Sequence, residues 1–167
     1  MKVVMIIAFE NFRDEELLDP KQVLENAGVD VTVASNKTGT ASGMLGAQFG
    51  VETLYTDINV DDYDGIVFVG GSGAAIYFDD NKAQELAKSF SEQGKVISAI
   101  CIAPSTLAHA GLLNGKKATC FASQEQDLKS HGAEYTGEQV TTDGKIVTAS
   151  GPSAAKEFGQ TILALLS

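Results

Sequence analysis

Apolar positions follow two different periods along the chain. Runs of consecutive Val and Ile residues, the first at residues 2–8, predict strands buried on both faces. From Glu15, apolar residues recur at helical spacing until Gly28 supplies the stop, which predicts an amphipathic helix. The same reading predicts strands at 29–34, 65–69, 95–100 and 117–120, a strand pair around 141–145, and helices at 81–93, 103–110, 124–130 and 153–166.

Repeated strand and helix units predict the fold class. The opening strand, helix and strand imply a parallel pair joined by a right-handed crossover. Residues 36–57 are rich in Gly, Thr and Ser and predict a hairpin excursion from this pattern. We therefore predict one domain over residues 1–167, an α/β protein built as a three-layer α/β/α sandwich around a mainly parallel sheet.

Charge and composition exclude several classes of partner. The 167 residues carry 12 basic and 22 acidic side chains, a net charge of -10 that repels nucleic acid and anionic lipid. No apolar run reaches the roughly 18 residues of a membrane span, and no signal segment precedes the first strand, so we expect a cytoplasmic protein without a membrane partner. The two cysteines form no Cys-x-x-Cys or Cys/His cluster, and we predict neither a metal nor a cofactor.

The clearest chemical signal lies where the fourth predicted strand ends. Cys101 follows this strand at once and precedes a helix, with small residues at Ala99 and Ala103. This is the arrangement of a nucleophile elbow with a thiol in place of the serine. The adjacent helix N-terminus predicts a lowered pKa for Cys101. The alternative is a buried structural cysteine.

A glycine pair follows the neighbouring predicted strand. The backbone N–H groups of Gly70 and Gly71, with that of Ile102, are candidates for binding an oxyanion formed at Cys101. The segment has neither G-x-G-x-x-G spacing nor a P-loop lysine, which disfavours nucleotide binding.

Four segments together carry a resemblance to a known family. They are Glu16 with Pro20, Val69-Gly70-Gly71, the stretch from Ala99 to Pro104, and Thr148-Ala149-Ser150-Gly151-Pro152. In this order and spacing the chain resembles the ThiJ/PfpI superfamily, also written DJ-one/PfpI, and within it the small ThiJ/YajL-like branch. The resemblance implies a flavodoxin-like fold, a homodimer, a reactive cysteine matched by Cys101, and a carboxylic acid beside its sulfur matched by Glu16.

The chain also departs from the family pattern. Ile102 and Phe121 stand where different members of the superfamily place a histidine, and Arg13 stands where many place an acid. The two histidines present, His109 and His131, are expected away from the strand ends in structural or solvated positions.

Three functions follow as hypotheses. The first is a redox-sensing or stress-response protein in which a small-molecule oxidant oxidises Cys101 beside Glu16. The second is a cysteine-dependent glyoxalase, deglycase or peptidase-like hydrolase acting on small carbonyls or peptides. The third is a non-catalytic, chaperone-like binding dimer. Cys120 is a possible second, resolving thiol, and its alternative role is that of a small apolar residue in a strand.

Overall fold

The Val- and Ile-rich runs form the central strands of the computed structural model, which describes residues 1–167. The strands are β1 Lys2–Ile7, β2 Glu10–Phe12, β3 Asp30–Ser35, β4 Gly39–Gly43, β5 Gln48–Val51, β6 Thr53–Leu54, β7 Gly65–Phe68, β8 Val96–Ile100, β9 Lys117–Ala118, β10 Glu134–Tyr135, β11 Val140–Asp143 and β12 Ile146–Ala149. The helices are α1 Asp14–Asn26, α2 Asn81–Glu92, α3 Pro104–His109, α4 Glu125–Ser130 and α5 Ala155–Leu166.

Seven strands form the central sheet in the order β11-β12-β8-β7-β1-β3-β6. All neighbouring strands are parallel except β11, which is antiparallel to β12 at the sheet edge. Parallel pairing places the carboxyl ends of β1, β7 and β8 side by side, so the loops that follow them meet at one edge. The predicted mainly parallel α/β fold is confirmed.

Two hydrophobic clusters cover the two faces of this sheet. Alternate residues of β1 enter opposite clusters, with Ile6 in one and Met5 in the other. The first cluster contains apolar residues of α2, α3 and α4, such as Phe90, whereas the second contains those of α1 and α5, such as Leu17 and Phe158. The predicted three layers follow from this division.

Residues 36–57 form the predicted hairpin excursion. β4 and β5 pair antiparallel, and β2 joins β4 to complete a three-stranded sheet beside the main one. The turn between β4 and β5 begins at Met44. The Met44 N–H donates to the carbonyl of Phe12 at 2.8 Å, and this bond holds the turn against the end of β2.

The predicted strand at 117–120 is shorter than expected. β9 covers only Lys117–Ala118 and pairs with β10 in a separate two-stranded sheet. Thr119 instead donates its backbone N–H to the Thr148 hydroxyl at 2.9 Å and its own hydroxyl to the Glu138 carbonyl at 2.6 Å. These side-chain bonds replace the regular ladder at this point.

The last helix also starts two residues later than expected. Pro152–Ala154 form a turn of 3-10 helix, and α5 begins at Ala155. No helix of the structure has the length and apolarity needed to cross a lipid bilayer.

Candidate active site

Cys101 occupies a sharp bend between β8 and α3. Its φ is +65°, in the left-handed region that non-glycine residues rarely adopt. Hydrogen bonds hold the bend on both sides, from Cys101 N–H to the Ala149 carbonyl at 2.9 Å and from Phe121 N–H to the Cys101 carbonyl at 2.8 Å. Such a conformation costs on the order of 1–3 kcal/mol and persists only where its surroundings fix it. The segment has the geometry of a nucleophile elbow.

Glu16 lies beneath this bend in the first turn of α1. Its side chain is fully buried, and neither carboxyl oxygen has a hydrogen-bond partner of good geometry. Burial raises the pKa of Glu16 to about 7, while the Cys101 thiol and the charge of Arg13 act in the opposite direction. A carboxyl group with this pKa can hold or release a proton at neutral pH.

Gly70 allows Glu16 and Cys101 to approach each other. Its carbonyl accepts the backbone N–H of Arg13 at 3.0 Å, which ties the end of β7 to the start of α1. A Cβ at Gly70 would overlap Oε1 of Glu16 and would lie 2.5 Å from Cβ of Cys101. The close meeting of the three strand exits therefore requires glycine at this position.

The protonation state of Cys101 differs from the expectation. Burial, followed by the charge of Glu16, raises the pKa of Cys101 to about 12, although the N–H groups of Gly71 and Ile102 act to lower it. The prediction of a lowered pKa is wrong because the sulfur is almost completely buried and faces a carboxylate as well as the start of a short helix. Near neutral pH the thiol therefore keeps its proton beside the Glu16 carboxyl group.

The three predicted oxyanion donors separate into two groups. The N–H groups of Gly71 and Ile102 act on the Cys101 sulfur, whereas that of Gly70 acts on the Glu16 carboxyl group. Gly71 has a φ of +101°, and a Cβ there would overlap the backbone nitrogen of Arg13. The N–H groups of Gly71 and Ile102 are the two backbone donors that can stabilise negative charge at the sulfur.

A cavity of about 230 Å³ opens above Cys101. This volume is below the roughly 300–1,000 Å³ of typical ligand pockets, so the cavity suits only a small molecule. The Arg13 guanidinium reaches this cavity and is bonded to the Glu15 carboxylate at 3.0 and 3.1 Å. Besides Glu16, Gly71, Cys101 and Ile102, its lining consists of Arg13, Met44, Ser72, Phe121, Ser123 and Pro152.

The structure keeps the other predicted candidates away from the cavity. Cys120 is buried in the cluster that contains α2, α3 and α4, whereas Cys101 belongs to the cluster on the other face. Both thiols are free. His109 ends α3 and His131 follows α4, and neither lines the cavity.

Two residues that the sequence analysis did not single out shape the mouth of the site. Met44, in the hairpin turn, lines the cavity and accepts the Ser72 N–H at its sulfur at 3.3 Å. Buried Asp14 holds this turn, since its carboxylate accepts the N–H groups of Leu45 at 3.0 Å and Ala47 at 2.8 Å. No spacing in the sequence connects Asp14 to Leu45 and Ala47, so only the fold could reveal these contacts.

Comparison with known proteins identifies the family of this chain. The model of the DJ-1/PfpI family matches residues 1–165. The uncharacterized protein MJ0967 of Methanocaldococcus jannaschii is 46% identical over 165 residues, 97% of this chain and 80% of that protein. The Pyrococcus abyssi protein named Deglycase PYRAB04690 is 32% identical over 149 residues, 89% of this chain and 90% of that one.

A solved structure of a related protein has the same fold. The crystal structure of a ThiJ/PfpI domain protein from Brachyspira murdochii superposes with a TM-score of 0.96 at 32% identity, covering 99% of this chain and 95% of that one. Fold and sequence similarity agree over nearly the whole chain. This chain belongs to the DJ-1/PfpI family.

Proposed function

We propose that this chain is a redox-responsive thiol protein in which a small peroxide oxidises Cys101. The observation that carries the proposal is the buried Glu16 carboxyl group, which has no hydrogen-bond partner of good geometry and acts on the Cys101 thiol. A thiol with a raised pKa needs a base at the moment of reaction. Glu16, whose pKa lies at about 7, supplies one inside the protein.

The oxidation step uses one proton relay. The sulfur attacks one peroxide oxygen, an S–O bond forms and the O–O bond breaks. Glu16 accepts the thiol proton and delivers it to the leaving hydroxide, so the products are a sulfenic acid and water. A second peroxide oxidises the sulfenic acid to a sulfinic acid by the same exchange. The N–H groups of Gly71 and Ile102 stabilise the negative charge that forms at the sulfur.

The arrangement of the site favours oxidation over hydrolysis. Hydrolysis through a covalent intermediate requires a group that activates water after the nucleophile has reacted. No imidazole lines the cavity, and Glu16 is its only carboxyl group. A cavity of about 230 Å³ admits a peroxide readily and leaves little space for a peptide backbone.

A second candidate is a reaction with small carbonyl compounds, which the similarity to a protein named deglycase supports. In this reaction the Cys101 sulfur bonds to the carbonyl carbon, and the thiol proton passes through Glu16 to the carbonyl oxygen. The product of this step is a hemithioacetal. The same N–H groups would stabilise its developing oxyanion.

Peroxide titration followed by mass spectrometry tests the first candidate. We expect oxygen to add to Cys101 before Cys120, and the rate at Cys101 to fall at least tenfold in Glu16→Gln. Glu25→Gln is the matched control, because Glu25 lies on the same helix and pairs with Lys21 on the surface. Equal oxidation of both thiols, or an unchanged rate in Glu16→Gln, would contradict the proposal.

The carbonyl candidate has a separate readout. Methylglyoxal turnover that disappears in Cys101→Ser, together with resistance of Cys101 to peroxide, would favour this candidate over the first. No turnover above the buffer rate would exclude it.

A further inference from the structure

Two histidines and two aspartates meet at the end of α3 that lies away from Cys101. His109 is the last residue of α3, Asp127 lies on α4, and His131 follows α4 directly. One ligand atom from each of these three residues lies within 4.8 Å of the others. All three side chains are partly exposed, at 17%, 28% and 38%, so an ion in solvent can reach them.

His109 has the orientation of a metal-ligating histidine. Its Nδ1 is 2.7 Å from Oδ1 of Asp79, and its Nε2 is 2.8 Å from Oδ2 of Asp127. In metal sites the nitrogen that does not bind the metal usually donates to a carboxylate, which fixes the ring. Asp79 already holds Nδ1 in this way and directs Nε2 toward Asp127.

His131 completes a set of three ligand atoms. Its Nδ1 is 3.6 Å from Oδ1 of Asp127 and 2.8 Å from the backbone carbonyl oxygen of Asp127, a hydrogen bond that metal binding would replace. Its ring is stacked on that of His109 with centroids 4.5 Å apart. Oδ1 of Asp127 therefore lies between the two imidazole rings.

The distances are close to those around a bound ion. Zinc bonds of about 2.0 Å in a tetrahedral arrangement place neighbouring ligand atoms about 3.3 Å apart. Oδ1 of Asp127 lies 3.0 Å from Nε2 of His109 and 3.6 Å from Nδ1 of His131, on either side of that value. To bind one ion together with His109, the exposed His131 side chain would turn out of its stack, because a metal ion lies in the plane of each imidazole that binds it.

We propose that His109, Asp127 and His131 form a binding site for a divalent transition metal ion such as Zn²⁺, with Asp79 as the residue that orients His109. Two imidazole nitrogens and one carboxylate oxygen select such an ion over Mg²⁺ or Ca²⁺, which prefer oxygen ligands. The charge of Asp79 and Asp127 balances the two positive charges of the ion. On binding, two metal–nitrogen bonds and one metal–oxygen bond form. The proton between His109 and Asp127 goes to solvent, and the Nδ1 proton that His131 donates to the Asp127 carbonyl moves through solvent to its Nε2.

Nuclear magnetic resonance of the imidazole nitrogens gives a direct test, because the chain contains two histidines. In the full chain, one equivalent of ZnCl₂ should shift a ring nitrogen of both His109 and His131. A shift of one ring alone, or of neither, would overturn the proposal.

Zinc calorimetry on variants supplies the second readout. His131→Gln and Asp127→Asn should each weaken Zn²⁺ binding at least tenfold, and Asp79→Asn should weaken it about tenfold by releasing the His109 ring. Glu125→Gln is the matched control, since Glu125 lies on the same helix and pairs with Lys129 at 2.6 Å. Thermal unfolding without metal confirms that each variant is folded. Binding that persists unchanged in His131→Gln, or that is lost in Cys101→Ala, would place the ion elsewhere.

Discussion

The carboxyl group of Glu16 and the thiol of Cys101 control each other's ionisation. The Glu16 charge raises the pKa of Cys101, and the Cys101 thiol lowers the pKa of Glu16. The two groups therefore titrate as a coupled pair. Near neutral pH the Glu16 carboxyl group is about half ionised, while the Cys101 thiol keeps its proton.

This burial predicts how Glu16→Gln changes stability. Between pH 4.5 and about 7 the folded protein keeps a proton on Glu16 that the unfolded chain has lost, so this residue reduces stability as pH rises. At about 1.4 kcal/mol per pH unit, the full effect corresponds to about 3 kcal/mol. We expect Glu16→Gln to match the natural protein near pH 4 and to exceed its free energy of unfolding by up to about 3 kcal/mol near pH 8.

Urea unfolding at both pH values measures this difference. Glu25→Gln, on the exposed side of the same helix, should show the same pH dependence as the natural protein. A stability difference for Glu16→Gln that does not change with pH would contradict the burial of an ionisable Glu16.

Gly70→Ala tests the close contact at the strand exits. The added Cβ would overlap Glu16 and approach Cys101 and the Ile100 carbonyl, and overpacking of this kind costs on the order of 1–3 kcal/mol or more. We expect a loss of stability of about 3 kcal/mol and a loss of Cys101 reactivity. Gly50→Ala is the control, because a Cβ there meets nothing within 4 Å and should change stability by less than about 0.5 kcal/mol. Equal effects of the two substitutions would show that the contact at Gly70 is not tight.

Asp14→Ala tests the support of the hairpin turn. The substitution leaves the N–H groups of Leu45 and Ala47 without their acceptor, which costs about 2 kcal/mol. Amide hydrogen exchange at these two residues should become faster, because the turn that carries Met44 loses its anchor. Asp19→Ala on the same helix is the comparison, since Asp19 makes no side-chain hydrogen bond and should leave both amides protected. Unchanged exchange in Asp14→Ala would mean that the turn is held by other contacts.

The fold could be predicted because its signals are local. Runs such as residues 2–8 identify buried strands, and the helical spacing after Glu15 identifies α1. The error at 117–120 has a tertiary cause, since Thr119 bonds to Thr148, a partner 29 residues away. Propensity cannot show this competition.

The site could be predicted only in part. The sequence placed Cys101 at an elbow by its position after β8, and the family resemblance pointed to Glu16. The direction of the Cys101 pKa depends on burial and on the nearby charge, which a helix N-terminus alone does not determine. The homodimer stays a prediction.

The histidine cluster was not predicted at all. Asp127 and His131 are four residues apart, as neighbours on a helix are, but His109 and Asp79 come from distant parts of the chain. A search for local Cys and His spacing could not find a cluster whose ligands come from two segments of the chain.

The pH dependence of Cys101 alkylation tests the central claim most directly, with mass spectrometry separating Cys101 from Cys120. Because Glu16 is the internal base, we expect the Cys101 rate to rise to an inflection near pH 7 and then level off. In Glu16→Gln the rate should rise about tenfold per pH unit without that inflection. A Cys101 rate that climbs steadily into the alkaline range in both proteins, as expected for buried Cys120, would contradict a Glu16–Cys101 proton relay.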